Sequence, residues 1–504
     1  MTNPSPADDR VHPRFLLRRL LHIVTTLIMA ITAYLYLICP VFGGNLAETP
    51  CRPNVVLILA DDLGWQEPGF AGSDFNETPH LDRLAKQGMV FTQAYSSAGN
   101  CAPSRGCLLS GQYTPRHGVY AVGSTDRGPV ELMRLVPIKN TSGLAADEFT
   151  LPKAMKSAGY ATGMFGKWHL DGKQGSSPED HFDVVGVGGH TWNKKQADDP
   201  KAVFAITDAA CEFIEANRDR PFFAYLPHYA IHSPLQSRPE VLARFEAKPP
   251  GKLHKDPANA ACLAELDDAV GRLMKKLADL GLEENTLVLF TSDNGGPAES
   301  QEPLRGKKGC YYEGGIREPM VVRWPAVVKP GTKCNVPVIN VDFYATFAAL
   351  AGSKLPSDRP LDGVSLLPLF EGGDRLDRAA IFWHFPGYLD GPVPRGRDPV
   401  FRTRPVSVIR KGDWKLHLYH EEWQLDGGRV KLDANHAVEL YDIARDPGET
   451  EDRATSEVPK RDELLDDLLA WMARTPARMP DQPNPQWNPN AKVKTKRGAK
   501  KMAD

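Results

Sequence analysis

The 504-residue sequence has almost no net charge, because 61 lysines and arginines against 63 aspartates and glutamates leave −2 at pH 7. A chain without excess positive charge lacks the electrostatic pattern of nucleic-acid binding, and we expect no nucleic-acid partner. The eight cysteines contain no Cys-x-x-Cys pair, which argues against a zinc knuckle or a thioredoxin-type motif. The sequence also has no internal repeat. Its specificity must therefore come from local sites.

The first 47 residues have the order of a secretory signal: basic, then apolar, then small. The apolar run over residues 20–38 is nearly long enough to span a membrane, so an uncleaved anchor is the alternative to a cleaved signal peptide. We expect export to a periplasmic, extracellular or lumenal compartment, with membrane association through this segment if it is not cleaved. Six further cysteines permit disulfides in an exported protein without showing them: Cys51, Cys107, Cys211, Cys262, Cys310 and Cys334.

Patterns of buried strands alternate with amphipathic helical patterns between residues 48 and 375. Residues 54–60 form a continuous apolar run that ends in Asp61-Asp62, as is typical of a central parallel strand covered on both faces. Further strands are predicted over 160–165, 221–226 and 286–291, and helices over 79–88, 151–158, 203–216 and 258–280. This alternation predicts an α/β fold with a large, mainly parallel, doubly wound central sheet flanked by helices.

The pattern changes beyond residue 375. Short alternating runs predict strands over 406–410, 414–419 and 438–442, followed by a helix over 459–474. We therefore expect residues 376–476 to form a smaller C-terminal subdomain with a short antiparallel sheet and a helix. Residues 477–504 are rich in proline and asparagine and then basic, which predicts a disordered tail. The expected order is a signal peptide or anchor (1–47), a catalytic α/β domain (48–375), the subdomain and the tail.

Carboxylate and amide side chains follow two of the predicted buried strands. Asp61 and Asp62 come after one of them, and Asp293 and Asn294 come after another. Open α/β sheets place their sites at the carboxyl ends of their strands, where these oxygens would meet. One such pair alone is typical of a helix N-cap or a turn, but two pairs favour a site for a hard divalent cation, Ca²⁺ or alternatively Mg²⁺. The four residues include no histidine, which disfavours zinc.

Cationic side chains form a second group on other predicted loops: Arg105, Lys167, His169, His232 and Lys308. Lys167 and His169 are two residues apart and would face the same side of an extended segment. Each residue alone is more often a solvated lysine or a structural histidine, but together they would surround an anion. We interpret His228 as structural, because Pro227 and Pro234 oppose the helix that a zinc-protease pair of histidines requires.

Residues 100–111, NCAPSRGCLLSG, predict a helix that begins just after Cys101. The positive end of such a helix attracts anions, and Arg105 can project to the same side one turn further on. Taken alone, Cys101 would be a small buried cysteine at a helix start. The string Cys-x-Pro-Ser-Arg followed by Leu-x-Ser-Gly, however, resembles the signature of the sulfatase family. Other blocks over roughly residues 52–455 also resemble that family: 61–62, 166–169, 232–234, 293–295, 304–319 and 439–449.

The resemblance implies a formylglycine-dependent, arylsulfatase-like sulfuric ester hydrolase of the alkaline phosphatase superfamily. Its substrate would be a sulfated small molecule or carbohydrate. Cys101 would be oxidised by a separate formylglycine-generating enzyme to formylglycine (3-oxoalanine), whose hydrate attacks sulfur. The metal ligands that the resemblance implies are Asp61, Asp62, Cys101 in its modified form, Asp293 and Asn294.

The resemblance also implies sulfate-binding roles for Arg105, Lys167, His232 and Lys308. His232 with Lys308 would protonate the leaving alcohol, and His169 would accept a proton so that sulfate leaves and the aldehyde is restored. The sequence departs from the family in one detail, since Lys307 stands where a glycine usually precedes the catalytic lysine. Lys308 is chosen because its spacing to the following Glu-Gly-Gly fits the family better.

Three other functions fit parts of this pattern. A phosphate or phosphonate ester hydrolase of the same superfamily would use similar oxygen ligands and cations. A non-catalytic sulfoglycan-binding homologue would arise if the host cannot oxidise Cys101, and a redox role for Cys101 and Cys107 is the most distant alternative. The sequence does not identify the substrate. Aromatic residues over 383–388 would either line the outer wall of the pocket or belong to the core.

Overall fold

A nine-stranded sheet forms the larger part of the fold, and a four-stranded sheet lies in the C-terminal part. The computed structural model describes residues 52–173, 175–187 and 197–491, and the chain from Pro53 onward forms one compact unit. The predicted leader over 1–47 lies outside the described residues, as do Cys51 and residues 492–504. No helix of the described residues is long and apolar enough to cross a membrane.

The structure contains the predicted helices and strands to within about one residue at each end, together with further short elements. The strands are β1 (Asn54–Ala60), β2 (Met89–Tyr95), β3 (Ala161–Phe165), β4 (Val184–Gly186), β5 (Phe222–Pro227), β6 (Thr286–Ser292), β7 (Arg317–Arg323), β8 (Thr332–Cys334), β9 (Val338–Ile339), β10 (Ile381–Phe385), β11 (Leu389–Asp390), β12 (Phe401–Thr403), β13 (Val406–Lys411), β14 (Trp414–Tyr419) and β15 (Val438–Asp442). The helices are α1 (Pro79–Gln87), α2 (Cys101–Ser110), α3 (Thr114–His117), α4 (Leu151–Ser157), α5 (Val203–Ala216), α6 (Pro239–Glu246), α7 (Pro257–Asp279), α8 (Glu313–Ile316), α9 (Asp342–Ala351), α10 (Leu367–Phe370), α11 (His420–Leu425) and α12 (Val458–Arg474).

The large sheet is mainly parallel, as predicted, with the order β4-β3-β5-β1-β6-β7-β2-β8 and β9 paired to β2. Among the described strands of this sheet, β7 alone runs antiparallel to its neighbours. The central strand β1 is buried along its whole length, and its alternate side chains enter two different apolar clusters. The sheet is therefore covered on both faces, which explains the continuous apolar sequence of β1.

The register of the sheet brings the ends of neighbouring strands to one level. Ala60, the last residue of β1, pairs with Ser292, the last residue of β6. On the other side of β1, Leu59 pairs with Pro227 at the end of β5. The loops that follow these three strands consequently leave the sheet side by side, at the edge where the sequence predicts the site.

The smaller sheet is antiparallel, in the order β10-β13-β14-β15, which confirms the predicted C-terminal arrangement. Of the two predicted placements for the aromatic residues over 383–388, the core is confirmed and the pocket wall is not. Trp383, Phe385 and Tyr388 are fully buried, and the indole of Trp383 donates a hydrogen bond to the carbonyl of Ser96 at 2.7 Å. Large aromatic rings at this junction contribute more by filling the core than by facing solvent.

The first part of the predicted disordered tail is ordered. The backbone N–H of Val136 donates to the carbonyl of Gln482, and that of Asn484 donates to the carbonyl of Arg134. Backbone hydrogen bonds therefore hold the segment around residues 482–488 against residues 131–136. The polar and proline-rich composition of this segment does not prevent such pairing. The six cysteines of the described residues are free thiols, so the predicted option of disulfides is not used by Cys107, Cys211, Cys262, Cys310 and Cys334.

Candidate active site

The acidic residues of the candidate site leave the sheet at the adjacent ends of β1 and β6. The backbone N–H of Asp62 donates to Asp293 Oδ1 at 3.1 Å, which ties the two loops together. Asp62 has a left-handed backbone, with φ of 69°, so the chain turns sharply as it leaves β1. The loop after β5 is joined to the same place, because the N–H of Asp61 donates to the carbonyl of Ala230 at 2.9 Å.

Cys101 is the first residue of α2 and lies against this acidic group. Its Sγ is 3.8 Å from Asp62 Oδ1, and only 1% of the residue is exposed. Burial raises the pKa of the Cys101 thiol far above its ordinary value. An unmodified Cys101 is therefore protonated and a poor nucleophile. Cys107 contacts His117 Nε2 at 3.4 Å instead, so the contacts offer no support for a redox pair with Cys101.

Each of three buried carboxylates is paired directly with a cation. Lys167 Nζ lies 2.5 Å from Asp61 Oδ2, and Lys308 Nζ lies 2.7 Å from Asp62 Oδ2. Asp293 Oδ2 accepts two hydrogen bonds from the Arg105 guanidinium, at 2.7 and 2.9 Å. The acidic and cationic groups predicted from the sequence thus interleave, since isolated buried charges are too costly.

These contacts shift the pKa values of the acidic residues in opposite directions. Burial alone would raise the pKa of Asp61, but Lys167 and Arg105 hold it well below its ordinary range. Burial and the neighbouring Asp61 carboxylate raise the pKa of Asp293 to about 6. Burial opposes the charge of Lys167 and Lys308 as well, yet the adjacent aspartates raise the pKa of both lysines. The lysines are consequently charged at neutral pH.

The two lysines at positions 307 and 308 point to different places. Lys308 reaches Asp62, whereas Lys307 Nζ lies 3.3 and 3.2 Å from the carbonyls of Pro297 and Ala298. The structure therefore brings Lys308, and not Lys307, to the candidate site.

Arg105 is completely buried and is used for positioning in this arrangement. Besides its two bonds to Asp293, its NH1 donates to the carbonyl of Lys167 at 2.9 Å. It therefore connects α2 with the loops that follow β6 and β3. The phenol of Tyr225 lies beside this network and was not predicted as part of it, because its position in β5 carries no motif.

The histidines differ in their relation to the site. His232 Nε2 is 3.6 Å from Asp62 Oδ2, while its Nδ1 lies 2.6 Å from the carbonyl of Ser233. His169 is half-buried on the loop after Lys167, with a left-handed backbone (φ of 62°), so 167–169 is not a regular extended segment. His228 is buried, and burial lowers its pKa to about 3, which agrees with a neutral structural residue.

The arrangement fits a divalent cation. Asp61, Asp62, Cys101 and His232 each offer a ligand atom, and these atoms lie within 4.8 Å of one another. Asp61 Oδ1 and Asn294 Oδ1 are buried without a hydrogen-bond partner in the described structure. Buried oxygens of this kind usually accept a hydrogen bond, so two that accept none match the oxygen ligands that Ca²⁺ or Mg²⁺ prefers. His232 belongs to this group, although the predicted ligand set contained no histidine.

Two buried residues near the site escaped sequence reasoning. Lys201 precedes α5, and its Nζ lies 2.5 Å from the backbone carbonyl of His232; burial lowers its pKa to about 8. Glu67 accepts the N–H of Gly64 at 3.1 Å and a bond from Asn259 at 2.8 Å. Neither lies in a recognisable motif, since Lys201 bonds to a backbone carbonyl 31 positions away and Glu67 bonds to a side chain 192 positions away.

A parallel α/β sheet with paired carboxylates and cations around a helix-start cysteine defines a hydrolase of anionic esters. The chain belongs to the sulfatase family: residues 53–353 match the family model described as Sulfatase. It is a sulfuric ester hydrolase. Residues 307–474 match the model described as N-sulphoglucosamine sulphohydrolase, C-terminal.

Individual relatives agree with this assignment over most of their length. A protein named Sulfatase from Formosa agariphila is 33% identical over 485 residues, covering 79% of this chain and 84% of the relative. N-acetylgalactosamine-6-sulfatase of Mus musculus is 30% identical over 475 residues, covering 82% of this chain and 84% of the relative. A crystal structure of Ps i-CgsB in complex with k-i-k-neocarrahexaose has a TM-score of 0.66 at 28% identity, covering 86% of this chain and 94% of that chain.

Proposed function

We propose that this sulfatase hydrolyses the sulfate ester of a carbohydrate, using a formylglycine nucleophile made from Cys101 and a bound divalent cation. The observation that carries the proposal is the position of Cys101. Its side chain lies against Asp62. Two lysines pair with the adjacent buried aspartates, Lys167 with Asp61 and Lys308 with Asp62. Burial raises the pKa of the Cys101 thiol, so the unmodified thiol is a poor nucleophile and the proposal requires its conversion to the aldehyde.

The metal would be held by the oxygen ligands of the two strand ends: Asp61, Asp62, Asp293 and Asn294, with residue 101. Bound there, Ca²⁺, or Mg²⁺ in its place, would supply positive charge close to the nucleophile and the sulfate group. The two unpartnered oxygens of Asp61 and Asn294 support this assignment. Arg105 holds Asp293 in place from behind.

The cations of the site have separate roles in the proposed reaction. Lys167 and Lys308 neutralise sulfate oxygens, because both ammonium groups stay charged beside their aspartates. His232, which is partly exposed, donates the proton to the leaving alcohol with Lys308. Lys201 holds the carbonyl of His232 and so fixes the ring's position. His169 accepts the proton when sulfate is released.

The carbohydrate part of the proposal is supported by what similar proteins act on or bind. The mouse relative is named for a sulfated N-acetylgalactosamine, and the similar crystal structure holds an oligosaccharide. The leader-like sequence supports export, with a membrane anchor as the alternative. The motif around Cys101 supports a separate formylglycine-generating enzyme as the maturation partner. Both remain proposals, because the leader lies outside the described residues.

The proposal is tested by sulfate release together with peptide mass. The chain, coexpressed with a formylglycine-generating enzyme, is offered sulfated mono- and oligosaccharides, an aryl sulfate, and the matching phosphate monoester and diester. We expect sulfate release from at least one sugar, a mass at residue 101 that corresponds to the aldehyde, and loss of activity with EDTA. Cys101→Ala removes turnover, while the matched control Cys211→Ala, on α5, keeps it. Full activity with an intact thiol, or a preference for the phosphate esters, refutes the proposal.

A further inference from the structure

An arginine from the C-terminal part of the chain lies beside the loop that carries Lys308. Arg402 is in β12, and its NH1 donates to the backbone carbonyl of Lys308 at 3.2 Å. Its Nε donates to the carbonyl of Gly391 at 3.2 Å, at the other strand of the same hairpin. The hairpin β11–β12 therefore holds this guanidinium at the edge of the candidate site.

The contact with the Lys308 loop is close enough to exclude any side chain at position 309. A Cβ on Gly309 would lie 2.2 Å from Arg402 Cδ, and the residue has a left-handed φ of 89°. The N–H of Gly309 donates at 2.7 Å to the carbonyl of Gly99, two residues before Cys101. Arg402 therefore contacts the Lys308–Gly309 backbone, which this hydrogen bond joins to the segment just before α2.

The charge of Arg402 has no counter-ion of its own. No carboxylate oxygen of the described residues lies within 4.0 Å of its guanidinium. The two carboxylates that act on it electrostatically, Asp390 and Asp62, are already paired with Arg127 at 3.0 Å and with Lys308 at 2.7 Å. Burial, together with the nearby Arg127, lowers the pKa of Arg402, as expected for a cation without a partner.

Its remaining donors also bond to no atom of residues 52–173, 175–187 and 197–491. A guanidinium carries five N–H groups, and the described contacts of Arg402 use its Nε and one NH1 bond. Within the described part of the chain, no atom accepts a hydrogen bond from its NH2. A half-buried guanidinium with free donors is well suited to bind the two oxygens of a carboxylate or of a sulfate group.

We infer that Arg402 forms a subsite for a second anionic group of the substrate, a carboxylate or a further sulfate on the sugar that bears the scissile ester or on the adjoining one. This inference rests on the proposed function. In that proposal Lys308 binds the reacting sulfate, and Arg402 contacts the Lys308 backbone. A single sugar, or two adjoining sugars, can therefore place the reacting sulfate at Lys308 and the second anion at Arg402. Arg127 and Asp390, which neutralise each other at the exposed rim, leave Arg402 as the cation that selects.

The test compares three sugar sulfates that differ in one group: a neutral sugar with one sulfate ester, the same sugar with an added carboxylate, and the same sugar with a second sulfate. We measure kcat/KM for wild type, Arg402→Gln, Arg402→Lys and the control Arg445→Gln, which removes an exposed arginine paired with Asp442. The expected result is that Arg402→Gln lowers kcat/KM for one dianionic substrate about 10- to 100-fold more than for the neutral sugar, the range for loss of one charge-assisted hydrogen bond. The dianionic substrate that is affected identifies the anion.

The two variants and the control keep the inference distinct from a structural role. Arg402→Lys keeps the charge and should recover part of the preference, whereas Arg445→Gln should leave the preference unchanged. Equal losses on all three sugars would mean that Arg402 only positions the Lys308 loop, and this overturns the inference. No change in preference overturns it too. If the wild type releases no sulfate from any ester, including an aryl sulfate, the proposed function has failed instead.

Discussion

Glu67 connects the two loops that carry the acidic residues of the site, and its replacement by glutamine gives a sharp test of the electrostatics. Its Oε1 accepts the N–H of Gly64 at 3.1 Å, and a Cβ on Gly64 or Gly296 would lie only 2.5 or 2.4 Å from that oxygen. Its Oε2 accepts a bond from Asn259 at 2.8 Å. Burial raises the pKa of Glu67 from 4.5 to about 7.

The magnitude follows from that shift. Because the pKa is higher in the folded than in the unfolded chain, the protonated carboxyl contributes stability below about pH 4.5, and this contribution is lost as the pH rises through 7. A shift from 4.5 to about 7 corresponds to about 3 kcal/mol. Glutamine is neutral at every pH, and Asn259 has an unpartnered Oδ1 that can accept from the new amide after a flip. We expect the free energy of unfolding of Glu67→Gln, relative to that of the wild type, to rise by about 3 kcal/mol between pH 5 and pH 8.

The assay is thermal unfolding of both proteins from pH 5 to pH 8. For a unit of this length, roughly 1 °C in the midpoint corresponds to 1 kcal/mol, so the difference between variant and wild type should grow by about 3 °C. Glu463→Gln is the matched control. Hydrogen bonds from Lys411 and Lys460 hold the pKa of Glu463 at about 2, so this difference should stay flat over that range. A difference for Glu67→Gln that does not change with pH would refute the reasoning.

Three further changes test the site and its support. We expect His232→Gln to lower kcat about 10²–10⁴-fold on an alkyl sulfate and much less on an aryl sulfate with a good leaving group, and equal losses would contradict its role as acid. Lys308→Met should lower kcat/KM at least about 10²-fold. Lys307→Met should change kcat/KM little, because the Lys307 ammonium group donates to the loop carbonyls of Pro297 and Ala298. Lys415→Met should lower the free energy of unfolding in urea by about 3–5 kcal/mol, because it removes the buried ammonium group that Glu313 and Glu449 share. Lys411→Met, at a half-buried surface lysine, should lower it by less than about 1 kcal/mol. Similar small losses for the two variants would be inconsistent with this account.

The strands and the positions of the acidic residues were predictable because both depend on short-range patterns. A continuous apolar run gives a central parallel strand, and the parallel register then brings Asp61 and Asp293 to the same edge. The cysteine motif gave the position of Cys101 for a different reason, since it is long and specific. Lys308 could be chosen over Lys307 only by spacing, and the structure places its ammonium on Asp62.

Contacts that depend on the backbone of a distant segment were not predictable. Lys201 bonds to a carbonyl 31 positions away, and Arg402 bonds to one 94 positions away. In both cases the acceptor is a main-chain atom, which has no sequence signature. The same limit explains why Trp383 was an ambiguous residue: an aromatic pattern is alike on a pocket wall and in a core, and only the packing of the two sheets decides.

The pairing of Ala60 with Ser292 has a consequence for how such an enzyme can diversify. The spacing between the two acidic loops is inherited from the hydrogen bonds of adjacent strands, about 4.8 Å apart, and does not depend on any loop beyond them. If Arg402 selects the substrate as inferred, changes in the hairpin β11–β12 can alter which molecules bind without changing the spacing of the two acidic loops. Exchanging that hairpin between relatives should then change the range of substrates and keep the distance between the loops after β1 and β6.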